Sequence, residues 1–149
     1  MNVGYYTGAD ALTFADECSA IHRSAFSVSG MRGWTSEEIG ALLQRESTFL
    51  LKTSYGFLLA DLLVDEVEIL TIAVSSDYQG QKLGRALMTK LDDFGTYRKV
   101  IKASLEVAVD NFSAISMYKA FNFQKIAIRE RYFKKENGSV DALMMSKIY

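Results

Sequence analysis

The segment Ile69–Leu91, ILTIAVSSDYQGQKLGRALMTKL, constrains this chain more than any other. Its apolar, β-branched run through Val74 reads as a strand. A glycine-containing turn follows, after which Leu83, Leu87, Leu91 and Phe94 recur at helical spacing. A strand that feeds a helix through such a turn leaves unpaired backbone N–H groups at the helix N-terminus, where the helix dipole also favours an anion. A small α/β domain can hold a phosphorylated cofactor in this way. An ordinary strand-to-helix connection with no ligand reads the same in this segment taken alone.

The 149 residues are expected to form one domain, residues 1–149, long enough to bury roughly 70% of the unfolded surface. A formal net charge of −1 gives no broad attraction to nucleic acid or to an anionic membrane, so neither is expected as a partner. The single cysteine, Cys18, excludes an intramolecular disulfide and a cysteine-rich metal site. It recurs with Phe14, Ile21 and Ala25 at helical spacing, as a small buried hydrophobe does. His22 is the only histidine and is assigned to a helix face; one histidine with one cysteine makes no zinc site, and no metal is expected. No apolar run approaches the ~20 residues that span a bilayer. The opening MNVGYYTGAD lacks the basic-then-apolar pattern of a signal peptide, and a reducing, cytoplasmic setting is expected.

Read in order, Val3–Tyr6 is a short strand, and Thr7 to Asp10 has the pattern of a capping box ahead of a helix whose inner face carries Ala11, Phe14, Cys18, Ile21 and Ala25. Thr35 and Glu38 repeat that pattern ahead of a shorter helix containing Ile39, Leu42 and Leu43. Thr48–Lys52, Gly56–Val64 and Glu68–Ser75 are apolar runs with turn residues between them, which predicts an antiparallel meander. After the helix that follows Gln79 come a strand, Val100–Val107, and a helix, Asn111–Phe121. Phe123–Phe133 and Val140–Ile148 close the chain as a hairpin around Asn137-Gly138. The predicted class is α+β: a central mixed, mostly antiparallel sheet flanked by helices.

Four segments in this order, DEVEILTIAV from Asp65, DYQGQKLGRALM from Asp77, LEVAVDNFSAISMYKAFNF from Leu105 and RYFKKENGSVDALMM from Arg131, resemble the GNAT superfamily of acetyl-CoA-dependent N-acetyltransferases. Within it they resemble the bacterial ribosomal-protein-alanine N-acetyltransferases, the RimI-like group. The resemblance implies the GNAT acyl-CoA N-acyltransferase fold and acetyl-CoA as cosubstrate. The family's pyrophosphate loop, Q/R-x-x-G-x-G/A, corresponds here to Gln79-Gly80-Gln81-Lys82-Leu83-Gly84, with Arg85 beyond it. Lys82 replaces the first family glycine, a change that keeps the backbone N–H but is costly where φ is positive. Its ammonium either reaches a phosphate or is a solvated surface charge.

By the same resemblance, backbone groups of Ile72, Ala73 and Val74 hold the acetyl and pantetheine end, and one N–H there stabilises the thioester oxyanion. Asn111 opens a helix as an N-cap, to which the resemblance adds a cofactor contact. Asn122 stands where the family has glycine, a position asparagine tolerates. Glu106 interrupts an apolar strand and is the resemblance-based candidate for the base that takes the acceptor's proton; its alternative is an outward-facing glutamate. Tyr118 is the matching candidate for the acid that protonates the departing sulfur, against a packing role on its helix. Tyr132, paired with Phe133 where relatives carry two tyrosines, and Trp34 are candidate walls of the acceptor entrance; Trp34 alternatively staples the second helix.

Taken together, these residues read as an N-acetyltransferase whose acceptor is a peptide or protein N-terminus, such as that of a ribosomal protein. Two alternatives stand beside it. One is acetylation of a small amine such as a polyamine or aminoglycoside, which a strongly acidic pocket would favour and to which Asp61, Asp65, Glu66 and Glu68 could contribute. The other is a non-catalytic acyl-CoA-binding module.

Overall fold

A computed structural model describes residues 2–149. Strand β1 (Gly4–Thr7) is followed by α1 (Gly8–Leu12), α2 (Ala15–Ser27) and α3 (Ser36–Leu43). The meander β2 (Thr48–Lys52), β3 (Gly56–Leu63) and β4 (Glu66–Val74) comes next, then a 3-10 turn at Ser76–Tyr78. Helix α4 (Leu83–Arg98), β5 (Lys102–Ala108), α5 (Phe112–Ala120), β6 (Gln124–Lys135) and β7 (Gly138–Ile148) complete the order. Among the described residues the sheet runs β1-β2-β3-β4-β5-β7-β6, and only the β4–β5 pair is parallel. This is the mixed, mostly antiparallel sheet expected from the run of turns.

Helices α4 and α5 bury one face of the sheet: Leu87, Met88, Leu91, Phe94 and Tyr118 pack with Leu58, Val67, Ile69, Leu105, Val107 and Met145. Helices α1, α2 and α3 cover part of the other, where Ala11, Cys18, Ile21, Ile39 and Leu43 meet Leu50, Phe57, Leu59 and Ala73. No residue of β5, β6 or β7 belongs to that second cluster. On that face the β5–β7–β6 half of the sheet therefore lacks a helical cover.

Two irregularities in the ladders shape β4. In the β3–β4 ladder Leu59 pairs with Thr71 and Ala60 with Ile69, so Leu70 is an extra residue, a β-bulge. One extra residue reverses the alternation of faces. Val67 and Ile69 accordingly point to α4, whereas Ala73, of the same parity, packs under α2. The second irregularity is the short β4–β5 ladder, which pairs Glu66 with Lys102, Val67 with Ala103 and Glu68 with Ser104. Beyond Glu68 and Ser104 the two strands part, while β4 continues to Val74 and β5 to Ala108. The β5-facing backbone of upper β4 has no partner in that ladder.

Three local expectations are corrected. The first helix is broken into α1 and α2, with the Thr13 hydroxyl turning back to the Asp10 carbonyl at 2.7 Å. Thr7 makes no side-chain cap, because it is still part of β1, opposite Phe49, and Gly8 follows with φ +55°. The closing hairpin turns on Glu136-Asn137, one residue earlier than predicted, with Gly138 opposite Lys135 as the first residue of β7. The Thr35–Glu38 capping box is present in both directions. No helix among the described residues is long and apolar enough to cross a membrane.

Candidate functional site

Glu106 and Tyr118, the candidates for base and acid, lie near the place where β4 and β5 separate. On the α4–α5 side, Tyr118 belongs to the core with Leu105 and Val107, and its ring lies 6.0 Å from that of Phe123. Burial raises its pKa above the ordinary phenol value, so at neutral pH it holds a proton. Glu106 lies between Leu105 and Val107 on β5 and therefore points to the opposite, uncovered face. There its Oε1 accepts from Nε of Arg129 at 3.0 Å. Tyr132 meets the same carboxylate, which raises the tyrosine's pKa, with partial burial contributing. Its ring lies edge-on to Phe133 and 5.5 Å from the Arg129 guanidinium carbon. Glu106 and Tyr132 thus come together, with Tyr118 across the strand from them.

At the end of β4 the chain doubles back, and Gln79 Nε2 donates to the Val74 carbonyl at 3.1 Å. Gly80 has φ +79° and Lys82 has φ 66°, so the loop contains two left-handed turns before α4 begins. Lys82 is the N-cap of α4 and makes no side-chain cap; the first turn contains no acidic residue. The N-terminal amides of α4 consequently have no side-chain anion to satisfy them, which suits an anionic ligand. A Cβ on Gly84 would lie 3.0 Å from Met117 Sδ, so this glycine lets the start of α4 approach α5. Leu83 is buried beneath the loop, and Arg85 lies over the Phe121 ring at 5.8 Å. Asn111 caps α5, accepting from the Ala114 N–H at 3.3 Å, and Asn122 takes φ 71° after the helix. Ile72, Ala73 and Val74 form the stretch of β4 beyond the parting. These residues lie on β4 beyond the parting, at the start of α4 and at the two ends of α5.

Trp34 sits on the other side, in the α2–α3 connection. Its ring stacks on His22 at 4.7 Å and its backbone N–H donates to His22 Nδ1 at 3.0 Å. Since Nδ1 accepts, Nε2 carries the proton and donates to Thr71 Oγ1, 3.1 Å away beside the bulge. Burial, reinforced by Arg32, lowers the His22 pKa to about 4. His22 is therefore a neutral joint between the Trp34 loop and β4, on the buried face of α2. The β6–β7 hairpin tip closes towards this loop, the Glu136 N–H donating to the Gly30 carbonyl at 3.1 Å.

Arg129 was not legible as a site residue, because β6 shifts register at Lys125/Ala127 and again at Arg129/Phe133. The His22–Thr71 link joins residues far apart in sequence and left no local signal. Among the described residues no group of three or more His, Cys, Asp or Glu side chains could hold a metal ion. Clefts of about 390 and 340 Å³ lie at the α1–α3 and β1–α2 joints, away from the strand parting.

Fold and site together define a GNAT acyltransferase architecture. The sequence model of the acetyltransferase (GNAT) family matches residues 17–123, and the chain belongs to that family. It is 38% identical over 91 residues to the ribosomal protein bS18-alanine N-acetyltransferase of Escherichia coli, covering 61% of this chain and 62% of that protein. The match thus spans less than two thirds of this curated relative. The crystal structure of the Escherichia coli ribosomal-protein-alanine N-acetyltransferase superimposes with a TM-score of 0.82 at 28% identity, covering 99% of this chain and 94% of that one. Arabidopsis thaliana NAA60 in complex with acetyl-CoA shares the fold, with a TM-score of 0.73 at 16% identity and 99% and 98% coverage.

Proposed function

We propose that this chain is an acetyl-CoA-dependent N-acetyltransferase acting in the cytoplasm on the N-terminal α-amino group of a protein, such as a ribosomal protein. The observation that carries this reading is the parting of β4 and β5 after Glu68 and Ser104, with Glu106 on one face of β5 and Tyr118 on the other. A thioester lying in that opening would meet the acceptor from the Glu106 side and release its thiolate towards Tyr118.

In this reading the Gly80, Gln81, Lys82, Leu83, Gly84 and Arg85 segment takes the pyrophosphate at the α4 N-terminus, with Asn111 beside it on α5. Upper β4, at Ile72, Ala73 and Val74, takes the pantetheine and acetyl end. A backbone N–H there opposes the charge that develops on the thioester oxygen, an effect of about 3 kcal/mol per donor. A peptide α-amine has a pKa near 8, so a base assists its attack at neutral pH. Glu106 accepts the nitrogen's proton as the C–N bond forms; Tyr118 gives its proton to sulfur as the C–S bond breaks. Burial of Tyr118 suits it to be the acid, since a phenol held above its usual pKa does not lose its proton early. Tyr132 and Trp34 would border the acceptor's path from opposite sides.

Asp61 is withdrawn from the acidic pocket that a polyamine acceptor would need. Asp61 is buried and accepts from Arg45, Ser47 and Thr48, so it offers no free carboxylate to an acceptor. A peptide panel tests the reading: ribosomal-protein N-termini with free or blocked α-amines, together with polyamines, are incubated with acetyl-CoA and analysed by mass spectrometry. Acetylation confined to free α-amines is the expected result; acetylated polyamine or lysine side chains would overturn the acceptor assignment.

A further inference from the structure

Glu106 does not stand alone on the uncovered face of the sheet. Arg129 Nε lies 3.0 Å from its Oε1, and the two are on strands that flank β7, at the rungs Arg129–Ala142 and Glu106–Met144. The Arg129 side chain is half exposed and that of Glu106 only 24% exposed. An exposed ion pair of this kind is commonly worth little, but this one is braced. Immediately after Arg129 the β6–β7 ladder breaks and resumes at Phe133–Val140. Within the break Arg131 has φ 52° and its N–H donates to Asp141 Oδ1 at 2.8 Å. That anchored bulge carries the Tyr132 ring, on which the Arg129 guanidinium rests at 5.5 Å. Arginine stacked on an aromatic face with one edge on a carboxylate is pre-organised, and little side-chain freedom remains to be lost. Among the described residues the ion-pair partner of Arg129 is Glu106, and Arg129 makes no ion pair with Glu68, whose charge also acts on Tyr132.

We propose that Arg129 is a positioning residue for Glu106: it occupies Oε1 and so presents Oε2 to the incoming amine nitrogen. This rests on the reading of Glu106 as the acceptor's base. A glutamate has three rotatable side-chain bonds, and a base must stand within hydrogen-bond reach of the proton it takes. Fixing one oxygen with a charge-assisted donor selects the rotamer in which the other can do so. Glu106 Oε2 accepts the proton from nitrogen as the C–N bond forms, and Arg129 keeps its own protons throughout.

The test is steady-state kinetics with a free-amine peptide on Arg129→Gln, Arg129→Lys, Glu106→Gln and the Glu106→Gln/Arg129→Gln double variant, with thermal melting to confirm folding. Arg129→Gln is expected to lower kcat about tenfold, the scale of a charge-assisted hydrogen bond, with the KM for acetyl-CoA unchanged. Arg129→Lys should recover part of the loss, and Arg129→Gln should add nothing once Glu106 is already glutamine. Wild-type turnover by Arg129→Gln beside an impaired Glu106→Gln overturns the positioning role alone. A further loss in the double variant does the same, since Arg129 would then act by another route. Wild-type turnover by Glu106→Gln removes the base reading and this inference with it.

Discussion

Tyr118 combines two properties that a single side chain seldom needs together: it fills core space against Phe123, and it bears a hydroxyl that burial keeps protonated. Replacing it with phenylalanine keeps the ring and removes the proton. Tyr118→Phe is expected to melt near the wild-type temperature, to bind acetyl-CoA as well, and to lose about a hundredfold in kcat. Parallel calorimetry and turnover measurements check all three; unchanged turnover would make Tyr118 a packing residue. His22 makes the converse case, a titratable group whose value lies in staying neutral. Its pKa falls from 6.5 to about 4 on folding, so the unfolded chain binds the proton more readily. The stabilisation is present in full above pH 6.5 and is lost as pH falls through that window towards 4, by roughly 3 kcal/mol. Urea titrations at several pH values should show a steeper acid-side loss for wild type than for His22→Gln. Parallel slopes would contradict the neutral joint between Trp34 and Thr71.

At the scale of elements, the turn into α4 carries a local cost. Lys82 sits at φ 66°, ψ 19°, a left-handed conformation that a side chain disfavours by about 1–2 kcal/mol. Glycine would relieve that strain but loses more freedom on folding, which leaves a net gain of about 0.5 kcal/mol. Lys82→Gly is therefore expected to raise the melting temperature slightly while raising the KM for acetyl-CoA, because the lysine charge at the helix N-terminus is removed. A higher melting temperature with unchanged KM would assign Lys82 to the solvent. Whether this loop was strained could not be read from sequence, because the sign of φ at Lys82 is set by the turn and not by the residue. The order of strands and helices was legible, because apolar periodicity and the Thr35–Glu38 and Asn111 caps are local signals. The break between α1 and α2 was not, since Ala11, Phe14 and Cys18 keep helical spacing across it. The hairpin turn was displaced by one residue because Asn137-Gly138 satisfies the turn rule, yet the ladder closes on Lys135–Gly138.

The whole molecule divides its sheet between two tasks. Helices on both faces bury β2–β4 into a rigid half, and the bulge at Leu70 swaps the faces of upper β4 just where β5 leaves it. The other half, β5–β7–β6, keeps one face open, and Glu106, Arg129 and Tyr132 occupy it. The presence of Glu106 and Tyr118 as candidates followed from short motifs, but their disposition on opposite sides of one strand depends on long-range pairing that no local pattern encodes. Arg129 escaped notice for the same reason: two register shifts decide which way β6 presents it. The central claim is that acetyl-CoA enters where the strands part, and hydrogen exchange of backbone amides with and without acetyl-CoA tests it most directly. Protection should appear in residues 72–74 and 80–85 and at the start of α5. Protection confined to the clefts at the α1–α3 or β1–α2 joints, or none at saturating acetyl-CoA, would contradict it.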